Sequence, residues 1–203
     1  MPAATRRRLA TCAIAALLAI PSPAVAQVSE PFSPPAALLR YDRDRTYDLL
    51  HLRLDITIDP GSARVWGTAT NVIAPLVPGR ALDTVEFDAA ELQIEEVRLI
   101  AGEPARRVME EGSSLPEGES ASFDVDGARD RLIVRLDGAA SPIAVMIRYS
   151  ARPRGGLYFS GPDPDYPDRP YFVYSQGETE DNHFWFPSYD FPDDRATSAV
   201  SVT

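Results

Sequence analysis

Between residues 50 and 58 hydrophobic and polar positions alternate without a break: Leu50, Leu52, Leu54, Ile56 and Ile58 against His51, Arg53, Asp55 and Thr57. A period of two is the pattern of a strand with one buried face. Turn residues follow in Asp59-Pro60-Gly61-Ser62, so the run from 65 to 74 is expected to return as the second strand of a hairpin. Shorter runs at 84–88, 95–100, 121–125, 131–136 and 143–149 read as further strands, the last with Ile143, Val145, Ile147 and Tyr149 on one face, and 171–175 as another. No segment shows helical periodicity. Residues 102–104 and 110–119 are expected to be hairpin tips, and Pro162-Asp163-Pro164-Asp165 a surface loop. Short strands separated by Gly, Pro, Asp and Ser clusters predict an all-β, antiparallel β-sandwich. Residues 195–203 alternate like a strand in progress, which leads to the expectation that the chain is the front part of a longer protein.

The first 26 residues are patterned differently. Arg6, Arg7 and Arg8 precede an apolar run from 9 to 20, and Ala24-Val25-Ala26 is a small-residue cleavage site. The run is shorter than the roughly 20 residues that span a bilayer, so residues 1–26 are read as a cleaved signal peptide. The protein is then expected to be exported, periplasmic or extracellular, with no membrane attachment after cleavage. Pro31, Pro34 and Pro35 mark residues 27–40 as a flexible leader, and a single folded domain is expected over 41–203. Cys12 is the only cysteine and lies in the signal, so the mature chain would have neither thiol nor disulfide and must rely on an ordinary core.

Charge narrows the partners. All 20 basic residues are arginine, the net charge is −10, and loss of the three signal arginines makes it −13. Nucleic acid and anionic membrane are poor partners for such a chain, whereas cationic ligands are favoured.

Candidate chemistry is sparse. There are two histidines, His51 and His183, with no His-Glu-x-x-His and no Gly-rich phosphate loop, so no metal site is expected in this chain. His51 falls among the polar positions of the first strand and is expected to be solvated or simply hydrogen-bonded. Ser175, His183 and Asp190 have the side chains of a nucleophilic triad, but nothing in their spacing fixes a geometry. Gly155-Gly156 reads as a bulge or tight bend into a strand. The densest stretch is 174–192, where Glu178, Glu180 and Asp181 are followed by Phe184, Trp185 and Phe186. Residue types alone leave it open between a solvated acidic loop and a site for a cationic ligand. Trp185 and Phe186 are core-like by type, yet in a longer protein this aromatic block would be expected to face a partner domain.

Several separated segments resemble, in order, the N-terminal domain of the aminopeptidase N family of zinc metallopeptidases. They are Tyr47-Asp48-Leu49-Leu50-His51, Gly67-Thr68-Ala69, Arg152-Pro153-Arg154-Gly155-Gly156-Leu157-Tyr158-Phe159, Gln176-Gly177-Glu178, Trp185-Phe186-Pro187 and Asp190-Phe191-Pro192-Asp193-Asp194-Arg195-Ala196-Thr197. The resemblance implies a saddle-like β-sandwich packed against a catalytic domain in cis. That domain would carry the zinc and the general base, and this chain would hold no catalytic residue of its own. It also implies that Gln176 and Glu178 bind substrate, Glu178 holding the free α-amine of a peptide. His183 stands where the family commonly has arginine, and Ser188 where many members have cysteine. The implied activity is removal of single residues from peptide N-termini. The alternative is a non-catalytic binding or scaffold module on the same sandwich.

Overall fold

A computed structural model describes residues 44–110 and 112–203. The expected signal peptide and leader lie outside the described residues. Among the described residues, eleven strands make up nearly all the regular structure: β1 (Tyr47–Asp59), β2 (Arg64–Pro75), β3 (Thr84–Asp88), β4 (Gln93–Ala101), β5 (Glu119–Ser120), β6 (Phe123–Asp126), β7 (Arg131–Arg135), β8 (Ile143–Ala151), β9 (Gly156–Ser160), β10 (Phe172–Gln176) and β11 (Thr197–Val202). A six-stranded sheet has the order β11-β1-β2-β8-β4-β5, a three-stranded sheet the order β3-β7-β6, and β9 and β10 form a ribbon. The all-β sandwich expected from the sequence is thus what the chain forms.

The main core lies between the two larger sheets. Leu54, Ile56, Val65, Ala69, Ile73, Val97, Val145, Ile147 and Tyr149 meet Val85, Phe87, Leu132 and Val134, all buried in one cluster. The alternation seen in 143–149 therefore translates directly into one buried face of β8. A smaller cluster of Val72, Ile100, Ala105, Val108 and Ala144 covers the opposite face of the large sheet.

Three local expectations need correction. Residues 102–104 are not a hairpin tip: Glu103–Arg107 form a short helix α1, which has Pro104 in its first turn and buries Ala105. Five residues are too few to show a helical period. The β1 alternation is interrupted, because the register slips between Leu49 and His51 and leaves Leu50 as the extra residue of a bulge. Leu50 then packs on the smaller cluster, and His51, expected to be solvated or hydrogen-bonded, is buried and hydrogen-bonded. Its Nδ1 meets Thr197 Oγ1 at 2.8 Å, while Nε2 has no partner. Finally, the sandwich is not purely antiparallel, since β11 runs parallel to β1, with His51 opposite Thr197 and Ile56 opposite Val202.

Candidate functional site

The stretch from 174 to 192 starts on the ribbon. β10 pairs antiparallel with β9, placing Tyr174 opposite Tyr158 and Gln176 opposite Gly156. Strand alternation puts Phe172, Tyr174 and Gln176 on one face. The other face carries Val173, which packs with Phe159 against the main core. Gly156 has φ +73°, and a Cβ there would overlap the Asp181 carbonyl oxygen and lie 2.7 Å from Trp185 Cδ1. The bend expected at Gly155-Gly156 is thus also the place where the following loop comes down on the ribbon.

After Gln176 the chain turns, with Asp181 N–H donating to the Gly177 carbonyl at 3.0 Å, and enters a 3-10 turn over Asn182–Phe184. The turn is clamped from below. Asn182 Nδ2 donates to Asp190 Oδ1 at 3.0 Å, and Trp185 Nε1 donates to Asn182 Oδ1 at 3.3 Å. The His183 backbone N–H and its ring Nδ1 both reach Asp190 Oδ2 at 2.9 Å. Asp190 N–H in turn donates to Asp88 Oδ2 at 2.8 Å, and Asp88 pairs with Arg131. Ser188 bridges to Asp88 through the backbone, and its Oγ donates to Asn71 Oδ1 at 2.9 Å. Asn71 Nδ2 donates to the Pro187 carbonyl at 3.1 Å. Residues 182–190 are therefore tied to β2 and β3 through buried polar side chains whose bonding capacity is largely satisfied.

Above this clamp, Glu178 is exposed, and its carboxylate has no hydrogen bond or ion pair among the described residues. The Gln176 side chain is likewise exposed and unbonded. Glu180 is half-buried and does interact within the protein, so the two glutamates differ in availability. An unpaired carboxylate on a fixed loop is suited to accept a charge-assisted hydrogen bond from an incoming cation.

The remaining candidates separate. His183 and Asp190 do come together, but Ser175 hydrogen-bonds neither, so no triad forms among them. The aromatic block does not face outward. Trp185 and Phe186 are buried in the main core, and Phe184 is half-buried under the Arg154 guanidinium, which lies 3.9 Å from its ring centre. The reason is that the clamp draws 182–190 inward onto β3, which leaves the acidic residues, and not the aromatic ones, at the surface. No three His, Cys, Asp or Glu side chains converge to hold a metal among the described residues, so they do not fit a zinc centre. Asn71, Asp88 and Asn182 were not singled out by the sequence. A polar residue such as Asn71 within the otherwise apolar end of β2 is the one signal that would have found any of them.

No family model and no curated protein matches the sequence. Solved structures do match. Leukotriene A4 hydrolase from Saccharomyces cerevisiae is similar over 77% of this chain at 18% identity, with a TM-score of 0.59. The yeast enzyme in complex with bestatin is similar over 83% at 17% identity, with a TM-score of 0.61. A mutant M1 zinc metallopeptidase from Deinococcus radiodurans, bound to a Tyr-Ser-Ala substrate, is similar over 78% at 20% identity, with a TM-score of 0.53. The chain shares its fold with these enzymes. It spans only part of them, 23%, 25% and 32% of their respective lengths. The likeness in fold agrees with the sandwich that the resembling segments implied.

Proposed function

We propose that this chain is the substrate-recognition domain of an exported zinc aminopeptidase, with Glu178 accepting the α-ammonium group of a peptide and Gln176 accepting a second hydrogen bond and shaping the side-chain pocket. The observation that carries this reading is the exposed, unpartnered carboxylate of Glu178 on a loop whose base is fixed by hydrogen bonds to buried Asp190. A peptide α-amine titrates near roughly 7.7–8.0, so at neutral pH it is mostly cationic and an internal amide is not. Holding that charge at one place selects chain ends, and it fixes which peptide bond is presented to the reacting centre. In this reading, zinc supplies the activated water and belongs, with the general base, to a catalytic domain in cis. What residues 44–203 contribute is binding and orientation. The neighbours with bound bestatin and Tyr-Ser-Ala support a peptide as the ligand class.

The test is the enzyme carrying both domains. Glu178→Ala should lower kcat/KM for free-amine peptides about 10- to 150-fold, the equivalent of one hydrogen bond to a charged group. Glu178→Gln should be intermediate, and Glu180→Ala should do much less. Unchanged kcat/KM in Glu178→Ala, or equal losses at both glutamates, would return the loop to a solvated acidic surface.

A further inference from the structure

The six-stranded sheet stops at β11 with its edge open. β11 lies parallel to β1, and Thr203 turns both backbone groups towards it, its N–H donating to the Ile56 carbonyl at 3.0 Å and its C=O accepting from Ile58 N–H at 3.1 Å. Strand alternation then points the N–H and C=O of Ser198, Val200 and Val202 away from the sheet, where they meet no partner among the described residues. The side chains on this edge are uncovered as well. Val200 stands opposite Leu54 and Val202 opposite Ile56, so they extend a face whose β1 members are buried, yet each valine is 58% exposed. The other edges of the two larger sheets are protected. β5 is two residues long, β3 is bridged to Ser188, and β6 carries Asp124 and Asp126. β11, Thr197-Ser198-Ala199-Val200-Ser201-Val202, has no charge, no proline and no bulge.

Charge and symmetry decide what completes the edge. The chain carries a net charge of −10, so two copies repel over most of their surface and approach closely only through a neutral segment. β11 is such a segment, and it is self-complementary. Laid antiparallel about a twofold axis at Val200, Val200 faces its own counterpart and Ser198 faces Val202, each pairing exchanging two backbone hydrogen bonds between groups that already point outward. The axis keeps the same face of the sheet uppermost in both copies, so Val200 and Val202 of each meet across the seam. Opposite charges meet there too. Leu49 N–H donates to Asp194 Oδ2 at 2.9 Å, which keeps the residues before β11 alongside β1. Arg195 precedes Val200 by as many residues as Asp59 follows Leu54, the residue opposite Val200, so the axis sets Arg195 level with Asp59 of the second copy. They stand two strand spacings apart, roughly 10 Å, which their side chains together span. Neither makes an ion pair among the described residues, and the Asp59 carboxylate accepts only from Gly61 N–H and Ser62 Oγ of its own turn.

We propose that β11 is a pairing edge for a second copy of this chain, the two large sheets joining antiparallel through Ser198, Val200 and Val202 into one continuous sheet. This pairing is independent of the reading of Glu178. An antiparallel twofold occupies the open edge of both copies at once, so assembly closes at two. The contact is one strand on one strand and belongs with small, reversible interfaces, not permanent ones.

The experiment is sedimentation equilibrium of the full chain from about 5 to 500 µM, with amide hydrogen exchange measured at both ends of that range. The mass should rise from one copy towards two, with a Kd on the order of 10–100 µM. Exchange at Ser198, Val200 and Val202 should slow about 3- to 10-fold at the higher concentration, while Ala199 and Ser201, already directed at β1, should not change. Because Val200 faces itself, Val200→Lys and Val200→Glu should each remain a single copy, and an equimolar mixture of the two should restore the pair. Both substitutions fall on an exposed side chain, and the melting temperature of each variant shows whether it is folded. Should either fail to fold, the exchange pattern of the unaltered chain decides alone. A single copy at every concentration, growth past two copies, unchanged exchange at Val200, or folded Val200→Lys and Val200→Glu chains that stay apart when mixed would each overturn the pairing.

Discussion

The Asp190 carboxylate holds Asn182 from eight residues along the chain, Oδ1 accepting from Asn182 Nδ2 at 3.0 Å while Oδ2 accepts from the neighbouring His183. A buried acid therefore anchors the turn that carries the exposed acid, Glu178: it fixes the two residues that directly follow the 177–181 turn. The loop's position is set by satisfied hydrogen bonds, not by apolar burial of the loop itself.

Replacing Asp190 by asparagine keeps the shape but presents an N–H₂ group where an acceptor is needed. Three donors, Asn182 Nδ2, His183 N–H and His183 Nδ1–H, converge on the two oxygens. At least one donor must lose its partner, at a cost of about 1–3 kcal/mol for a buried group. Urea unfolding should register that loss for Asp190→Asn. A change below about 0.5 kcal/mol, within the range of ordinary surface substitutions, would mean that the clamp contributes little.

His51 gives a pH dependence of defined sign. Burial first, and then the charge of Arg53, hold its pKa below the ordinary histidine range, and protonation would leave an unpaired N–H at buried Nε2. In the unfolded chain the ring titrates near about 6.5. Its contribution to stability is complete above that pH and is lost as pH falls below it, because the unfolded chain takes up the proton first. Melting temperature should consequently fall between about pH 7.5 and pH 5.5 more steeply in the parent than in His51→Gln. Parallel profiles would show that some other group governs that range.

Gly156 joins ribbon to loop. Alanine there would have to adopt φ +73° and would drive its methyl group into Asp181 and Trp185. Conformational strain and overpacking together should cost about 2–4 kcal/mol, seen as a lowered urea midpoint. An alanine variant as stable as the parent would mean that the loop does not rest on the ribbon as described.

The strands were largely legible because their signals are local. The runs at 84–88, 131–136 and 143–149 became Thr84–Asp88, Arg131–Arg135 and Ile143–Ala151, each with alternation or β-branched residues to announce it. What was illegible depends on distant partners. The bulge at Leu50 is decided by how β1 pairs with β2, and the parallel seat of β11 by a strand nearly 150 residues earlier. In the site, Gln176 and Glu178 came from family resemblance and not from residue spacing. Of their support, only Asn71 left a signal, as a polar residue in the apolar end of β2; Asn182, Asp190 and Asp88 left none, since a polar side chain carries no mark of the bond it will make.

The closest test of that support is Gly177, where a Cβ would overlap the Oδ1 of Asn182 and crowd its Cγ and Nδ2. The end of a free asparagine could swing aside, but this one is held by Trp185 Nε1 and Asp190 Oδ1. Gly177→Ala must therefore either break those bonds or move the turn that carries Glu178, and in both cases affinity for a free α-amine should fall. Asn182→Ala removes the obstacle along with the clamp. Adding Gly177→Ala to it should then cost little, so the two substitutions should be strongly non-additive, with a coupling of about 1–3 kcal/mol in urea unfolding. The same cycle read through the affinity for an amino-acid amide should couple in the same direction. Simple additivity in both measurements would mean that Gly177 is there for backbone freedom alone, and that Asn182 does not position Glu178.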